Sequence, residues 1–104
     1  MAQMVVIYKT PQDPASFDRH YFEVHVPLAN KLPGLRQYSV SRGPIMAPLG
    51  GPAYYMDATL RFDSLAAIRE AFATPEGKAC AADRRLLAPR DDDLTMLLFD
   101  DRDV

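Results

Sequence analysis

Four short apolar segments, each bounded by polar or turn-forming residues, are the candidate strands of this chain. Gln3 to Lys9 is a β-branched and aromatic run, and Leu94 to Phe99 is an apolar run between acidic flanks. Leu35 to Gly43 and Ala53 to Phe62 alternate apolar with polar residues, which is typical of strands with one buried face. Residues 43–53 hold three prolines and three glycines and are predicted to form a loop.

Apolar residues at three- and four-residue spacing predict a first helical region that begins at Ser16, taken as its N-cap, and continues to about Leu32. The apolar positions are Phe17, Tyr21, Val24 and Leu28. Pro27 interrupts the pattern, because proline removes a backbone donor and disfavours helical geometry in the residue before it. We therefore expect this helix to kink or restart near Val26.

A second helical region lies between the third and fourth strands. Asp63 or Ser64 is predicted to cap a first helix. A break at Thr74 then allows Pro75, in a first-turn position, to begin a second helix that runs to about Leu87.

The resulting order, β-α-β-β-α-β, predicts a ferredoxin-like fold of the α+β class, an antiparallel four-stranded sheet with its helices on one face. The chain, residues 1–104, has the length of a single domain. Its sheet would leave one face bare, with side chains that are costly to expose to water. We therefore expect a homodimer in which two such sheets face each other.

Composition and charge exclude several classes of function. Twelve Lys and Arg against fourteen Asp and Glu, with no basic cluster beyond Arg84 and Arg85, disfavour nucleic-acid binding. The lone Cys80 cannot form an internal disulfide, and no apolar run is long enough for a signal peptide or a membrane span, so a cytoplasmic location is expected. Neither metal-ligand spacing nor a glycine-rich phosphate loop is present, so no metal or nucleotide cofactor is expected.

His25 is the side chain best suited to acid-base chemistry, because an unperturbed imidazole titrates near pH ~6.5. It could instead hydrogen-bond the carbonyls freed at the helix break, and residue type alone favours that structural role. His20 points about 100° away from Tyr21 around the helix and is expected on the surface. Tyr21, one turn before His25, could bind the same ligand or be a core tyrosine with a satisfied hydroxyl.

Strand alternation places Tyr55 and Asp57 on one face of the third strand and Tyr54 on the other, so only one of these sets can face a cavity. Asp57 could orient the imidazole of His25. It could also form an ordinary ion pair with Arg42 or Arg61, which we favour.

Four segments resemble the EthD family. They are Tyr21 to Ala29 (YFEVHVPLA), Leu32 to Tyr38 (LPGLRQY), Phe62 to Leu65 (FDSL) and Thr74 to Gly77 (TPEG). This resemblance implies a dimeric α/β barrel in which ferredoxin-like protomers pair sheet to sheet. The barrel superfamily includes cofactor-free enzymes, among them the methylmuconolactone methylisomerases. The chain is similar to these in its helix-borne His25 and in Tyr38, the tyrosine that follows P-G-L.

The resemblance implies that His25 transfers a proton and that Tyr38 orients the substrate. The candidate substrate-binding residues are Tyr21, Leu28, Tyr54, Tyr55 and Asp57. The leading hypothesis is therefore that the protein binds a small apolar or aromatic molecule in a cavity between sheet and helices, with residues 43–53 gating entry. It would carry out proton-transfer chemistry on that molecule without a cofactor, of isomerase, cyclase, dehydratase or decarboxylase type. The alternatives are a non-catalytic binding or accessory protein of a catabolic oxygenase system, and a barrel that binds heme through His25.

Overall fold

The strands and helices alternate in the predicted order, and each helical region is divided. A computed structural model describes residues 1–104. In chain order the elements are β1 (Ala2–Lys9), α1 (Pro14–His20), a π-helical turn (Tyr21–His25), α2 (Val26–Ala29), β2 (Gln37–Val40), β3 (Tyr54–Phe62), α3 (Leu65–Ala73), α4 (Pro75–Leu87), a 3₁₀ turn (Asp91–Asp93) and β4 (Leu94–Asp100).

The four strands form one antiparallel sheet in the order β2-β3-β1-β4. Alternate residues of β1 are buried beneath the helices, and Met4 and Val6 pair with the equally buried Leu60 and Ala58 of β3. The hydrophobic core therefore lies between this face and the helices. The architecture is the ferredoxin-like α+β fold that the order of elements predicted.

The opposite face of the sheet carries apolar side chains on two of its four strands, β1 and β4. Val5 and Ile7 are half-buried, while the side chains of Leu97 and Phe99 remain 47% and 40% exposed. Val5 pairs with Leu97 across the strands, so these residues form one continuous surface. This outer face, defined by Val5, Ile7, Leu97 and Phe99, has no covering layer in the single chain.

Hydrogen bonds at the helix starts explain where each helix begins. Ser64 caps α3 and Thr74 caps α4, each accepting from a backbone N–H three residues later. Ser64 is therefore the cap of the two candidates Asp63 and Ser64, and the predicted break at Thr74 is confirmed. The prediction of Ser16 as the first cap is wrong. Asp13 is the cap, and its carboxylate accepts the Ser16 backbone N–H at 3.1 Å, which makes Pro14 the first helical residue.

Strand β2 is shorter than the predicted segment because regular pairing with β3 ends at Val40. One further backbone bond follows, in which the Ser41 N–H donates to the Asp57 carbonyl at 2.8 Å. The chain then turns through Gly43, whose φ of +79° lies in the left-handed region. None of the helices combines the length and the hydropathy needed to cross a bilayer.

Candidate functional site

A cavity of about 490 Å³ lies between the inner face of the sheet and the helices. Hydrophobic residues make up 15 of the 18 that line it. Its floor includes a row of four side chains that are neighbours across the strands, namely Tyr38, Leu60, Met4 and Leu98. Because neighbouring strands lie ~4.8 Å apart, this row is about 14 Å long from β2 to β4. The dimensions suit a small organic molecule.

His25 lines this cavity and is held by a buried carboxylate. Its Nδ1 lies 2.9 Å from Oδ2 of Asp83, and both residues are only 6% exposed. A carboxylate can only accept a hydrogen bond, so Nδ1 carries the proton and donates it. The second ring nitrogen, Nε2, makes no hydrogen bond within the protein and is left for a ligand.

The same carboxylate binds a second histidine, because Oδ1 of Asp83 lies 2.8 Å from Nε2 of His20. The prediction that His20 lies on the surface is only partly right. About a third of its side chain is exposed, but its ring is anchored to a buried acid. His20 lines a separate, more polar pocket that does not include His25.

The π-helical turn explains how two histidines five residues apart reach one carboxylate. In this turn the Val26 N–H donates to the carbonyl of Tyr21, five residues back, where an α-helix would bond four residues back. The wider turn brings positions i and i+5 onto one side of the helix. Helix α2 restarts at Val26, as predicted from Pro27.

Burial is the main influence on the charge of His25. Burial lowers the pKa of the imidazole, and the charge of His20 lowers it further. The hydrogen bond and the negative charge of Asp83 raise the pKa, but the net shift is downward. His25 is therefore neutral at pH 7, with its lone pair on Nε2. A neutral imidazole in this tautomer can act as a general base toward a molecule in the cavity.

Two tyrosine hydroxyls meet beside this histidine. Oη of Tyr21 and Oη of Tyr38 lie 2.5 Å apart, and the Tyr21 ring is 5.1 Å from that of His25. Burial raises the pKa of both phenols, so both remain protonated. One hydroxyl donates to the other, which leaves one O–H of the pair to donate to a ligand oxygen.

Cys80 lines the cavity as an uncharged group. Burial, followed by the negative charge of Asp83, raises the pKa of its thiol to about 11. The thiol packs in the hydrophobic core, where a cysteine behaves as a small apolar residue.

The other candidate ligand residues lie outside this cavity. Leu28 is half-buried on α2, and Tyr54 and Tyr55 border a different pocket near residues 41–45. A bulge explains the position of Tyr55: Tyr8 pairs with Met56 and Lys9 with Tyr54, so Tyr55 has no partner on β1. Its hydroxyl instead donates to Asp18 at 2.8 Å.

Asp57 takes neither of the roles predicted for it. Its carboxylate accepts the Thr59 hydroxyl at 3.0 Å, and it forms no ion pair with Arg42 or Arg61. Arg61 pairs instead with Asp101, with Nη2 and Oδ2 2.6 Å apart. The carboxylate that holds His25 is Asp83, 26 positions further along the chain.

Sequence reasoning missed Asp83, although one signal was present. In α4 the buried residues are Gly77, Cys80 and Asp83, which recur at three-residue steps. An acid on the apolar stripe of a helix must find a partner, because an unpaired buried carboxylate is very costly. Helix α4 packs against the π-helical turn, and the two histidines provide that partner.

Comparison with known proteins assigns the family. The EthD domain matches residues 9–89. An uncharacterised 11.0 kDa protein from the thcB-thcC intergenic region of Rhodococcus erythropolis is 37% identical over 106 aligned positions, which cover 100% of this chain and 98% of that protein. An EthD family protein of Bacillus halodurans has a crystal structure with a TM-score of 0.86 and 32% identity, covering 98% of this chain and 99% of that one.

More distant structures share the fold alone. A dimeric ferredoxin-like protein of unknown function from Thermobifida fusca has a TM-score of 0.66 at 15% identity, with 94% of this chain and 88% of that one covered. SnoaB, a cofactor-independent oxygenase of Streptomyces nogalater, has a TM-score of 0.62 at 20% identity, with 99% and 94% covered. On the match over residues 9–89 and the close relatives, the chain belongs to the EthD family.

Proposed function

We propose that this protein binds a small, mostly apolar organic molecule with an oxygen function in the cavity and moves a proton on it without a cofactor. One observation carries the proposal: the bond from Nδ1 of His25 to Asp83 leaves Nε2 as a free, unprotonated nitrogen on an apolar cavity. A buried base with its tautomer set by a carboxylate is the arrangement that general base catalysis requires.

The site supports proton abstraction next to a carbonyl. Nε2 of His25 takes a proton from the carbon beside the carbonyl. The electron pair of the broken C–H bond forms a double bond to the carbonyl carbon, and the π pair of the carbonyl moves onto its oxygen. The free O–H of the Tyr21 and Tyr38 pair donates to that oxygen as it gains charge. Where a C=C bond is conjugated with the enolate, return of the proton from His25 to the far end of that bond completes an isomerisation. Where the neighbouring carbon carries a hydroxyl group, that group takes the proton from His25 and leaves as water, which completes a dehydration.

Each part of the site has an expected contribution. General acid-base catalysis accelerates such steps by ~10²- to 10⁴-fold, and one oxyanion donor by ~10²- to 10³-fold. Asp83 acts as a positioning residue, because it holds the imidazole of His25 in the productive tautomer without contacting the substrate.

Deuterium exchange into 2-tetralone, a bicyclic ketone with acidic C–H bonds beside its carbonyl, tests the proposal in D₂O by proton NMR. We expect the protein to exchange these hydrogens faster than buffer alone does. The substitutions H25Q and D83N should each reduce this acceleration at least ~10²-fold. The control is Y54F, which removes a hydroxyl outside the cavity and should leave the rate unchanged. Exchange at the buffer rate would overturn the catalytic proposal. If 2-tetralone nevertheless shifts the NMR signals of cavity residues, the result supports a non-catalytic binding protein.

We further propose that the working form is a homodimer joined through the outer face. The exposed side chains of Leu97 and Phe99 lie beside Val5 and Ile7, and a second copy of the sheet would remove this surface from water. The Thermobifida fusca protein, which shares the fold, is dimeric, and this supports the dimeric state of the present chain.

A further inference from the structure

The charged residues that line the cavity all have the same sign. Arg69 and Arg84 contribute to the wall, and no aspartate or glutamate does. The whole chain has the opposite balance, with a net charge of -2. A cavity in an acidic protein that presents only cationic side chains favours an anionic ligand.

Arg69 stands at the open end of the cavity. It is an exposed residue of α3, a helix that contacts β4, and Met96 and Leu98 of β4 are likewise exposed residues of the cavity lining. Its guanidinium makes no hydrogen bond and no ion pair with the protein. All five of its N–H donors are therefore available to a ligand.

Arg84 is half-buried on α4, and most of its N–H donors, like those of Arg69, have no partner in the protein. Its side chain makes one hydrogen bond, 3.2 Å long, from Nη1 to the carbonyl of Ala88, and no ion pair. Its positive charge reaches the buried hydroxyl of Tyr8, where it opposes the rise in pKa that burial causes. Arg84 therefore adds positive charge to the interior wall of the cavity.

We propose that the ligand is an organic carboxylate that lies along the sheet, with its oxygen function at Tyr21 and Tyr38 and its carboxylate bound by Arg69. Full burial of a carboxylate would cost many kilocalories per mole in solvation, so the anionic group stays at the open end, where it remains partly hydrated. A planar guanidinium matches a carboxylate in two parallel hydrogen bonds. Arg84 strengthens binding through its charge.

This inference rests on the proposed function in one respect, that the cavity takes up an organic molecule. It goes further in naming the chemical class of that molecule, and a pair of probes separates the two claims. The probes are 2-naphthoate and 2-naphthalenemethanol, which share a ring system and differ in the anionic group.

Isothermal titration calorimetry at pH 7.5 and low ionic strength measures both affinities. We expect the carboxylate to bind about tenfold more tightly than the alcohol, with an advantage that shrinks as salt is added. R69Q should remove most of that advantage, and R84Q should reduce it about threefold. Neither substitution should change the affinity for the alcohol. R69K, which keeps the charge without the planar fork, should recover part of it.

R85Q is the matched control, because it removes one arginine next to Arg84 that does not line the cavity. An equal loss of carboxylate affinity in R85Q and R69Q would reduce the effect to net charge and overturn the inference. Equal binding of the two probes to the unaltered protein, or tighter binding of the alcohol, would also overturn it while supporting the cavity as a binding site. Binding of neither probe would overturn the proposed function, and the inference with it.

Discussion

The Asp83 carboxylate binds two imidazoles, and only one of them lines the cavity. His25 is positioned for chemistry, whereas His20 occupies the other oxygen and faces a second, polar pocket. With both oxygens occupied, the carboxylate has little freedom to rotate. The ring of His25 is consequently fixed in direction as well as in tautomer, which is what an oriented base needs.

The lowered pKa of His25 makes folding depend on pH. Because the folded-state pKa lies below the unfolded value of about 6.5, the unfolded chain binds the proton more readily. The contribution of His25 to the free energy of unfolding is therefore complete above pH ~6.5. It is lost as the pH falls from ~6.5 toward the folded-state pKa, and the loss is at most ~1.4 kcal/mol per pH unit.

Urea unfolding at pH 7.5 and pH 5.5 measures this loss. H25N places an amide donor near the position of Nδ1 and cannot titrate, so we expect it to lose less stability than the unaltered protein between the two pH values. Equal losses in both proteins, or an NMR titration that places the pKa of His25 above 6.5, would contradict the expectation.

At the scale of the elements, strands and helix breaks follow from local sequence, and the helix type does not. Pro27 predicts a restart near Val26 because its effect on the backbone is local. The π-helical turn before it was not predicted, because one extra residue in a turn leaves little trace in a pattern of three- and four-residue steps. In a regular α-helix, positions five residues apart point about 140° apart, so His20 and His25 would face different directions without that turn.

The close approach of α3 and α4 leads to an element-scale prediction at Gly77. A Cβ at this position would clash with the carbonyl oxygen of Ala71 and the Cα of Phe72, both backbone atoms that cannot move aside alone. We expect G77A to lower the free energy of unfolding by ~1–3 kcal/mol, although helix propensity alone predicts a gain of ~1 kcal/mol.

The sign of the change in a urea titration decides between these effects. A79G, at an exposed position of the same helix, is the control for propensity and should lower stability by no more than ~1 kcal/mol. A more stable G77A protein would contradict the close approach of the two helices.

At the scale of the whole molecule, the fold buries one face of its sheet and leaves the other uncovered. The inner face holds the core and the cavity, while the outer face remains apolar and open to water. A chain of this size has a small core, so burial of a second apolar surface stabilises it by mass action.

The dimer proposal predicts a change of mass with a single substitution. L97E places a charge on the outer face, where two copies would oppose each other, and should convert a dimer into a monomer in sedimentation velocity at micromolar concentration. L86E alters a leucine that is 72% exposed on α4, away from this face, and should leave the mass unchanged. A monomeric unaltered protein would refute the proposal.

The sequence by itself determined the four strand segments, the helix break at Thr74, the order of elements and the identity of His25 and Tyr38 as candidates, because each depends on local spacing or on a motif. Only the tertiary structure decided which acid meets His25. Asp57 and Asp83 are equally plausible in one dimension, and the choice between them depends on the packing of α4 against the π-helical turn. The same reason applies to the contact of Tyr55 with Asp18 and to the two arginines on the cavity wall. A sequence shows which groups are present, but the distances between remote groups are set by how the layers pack.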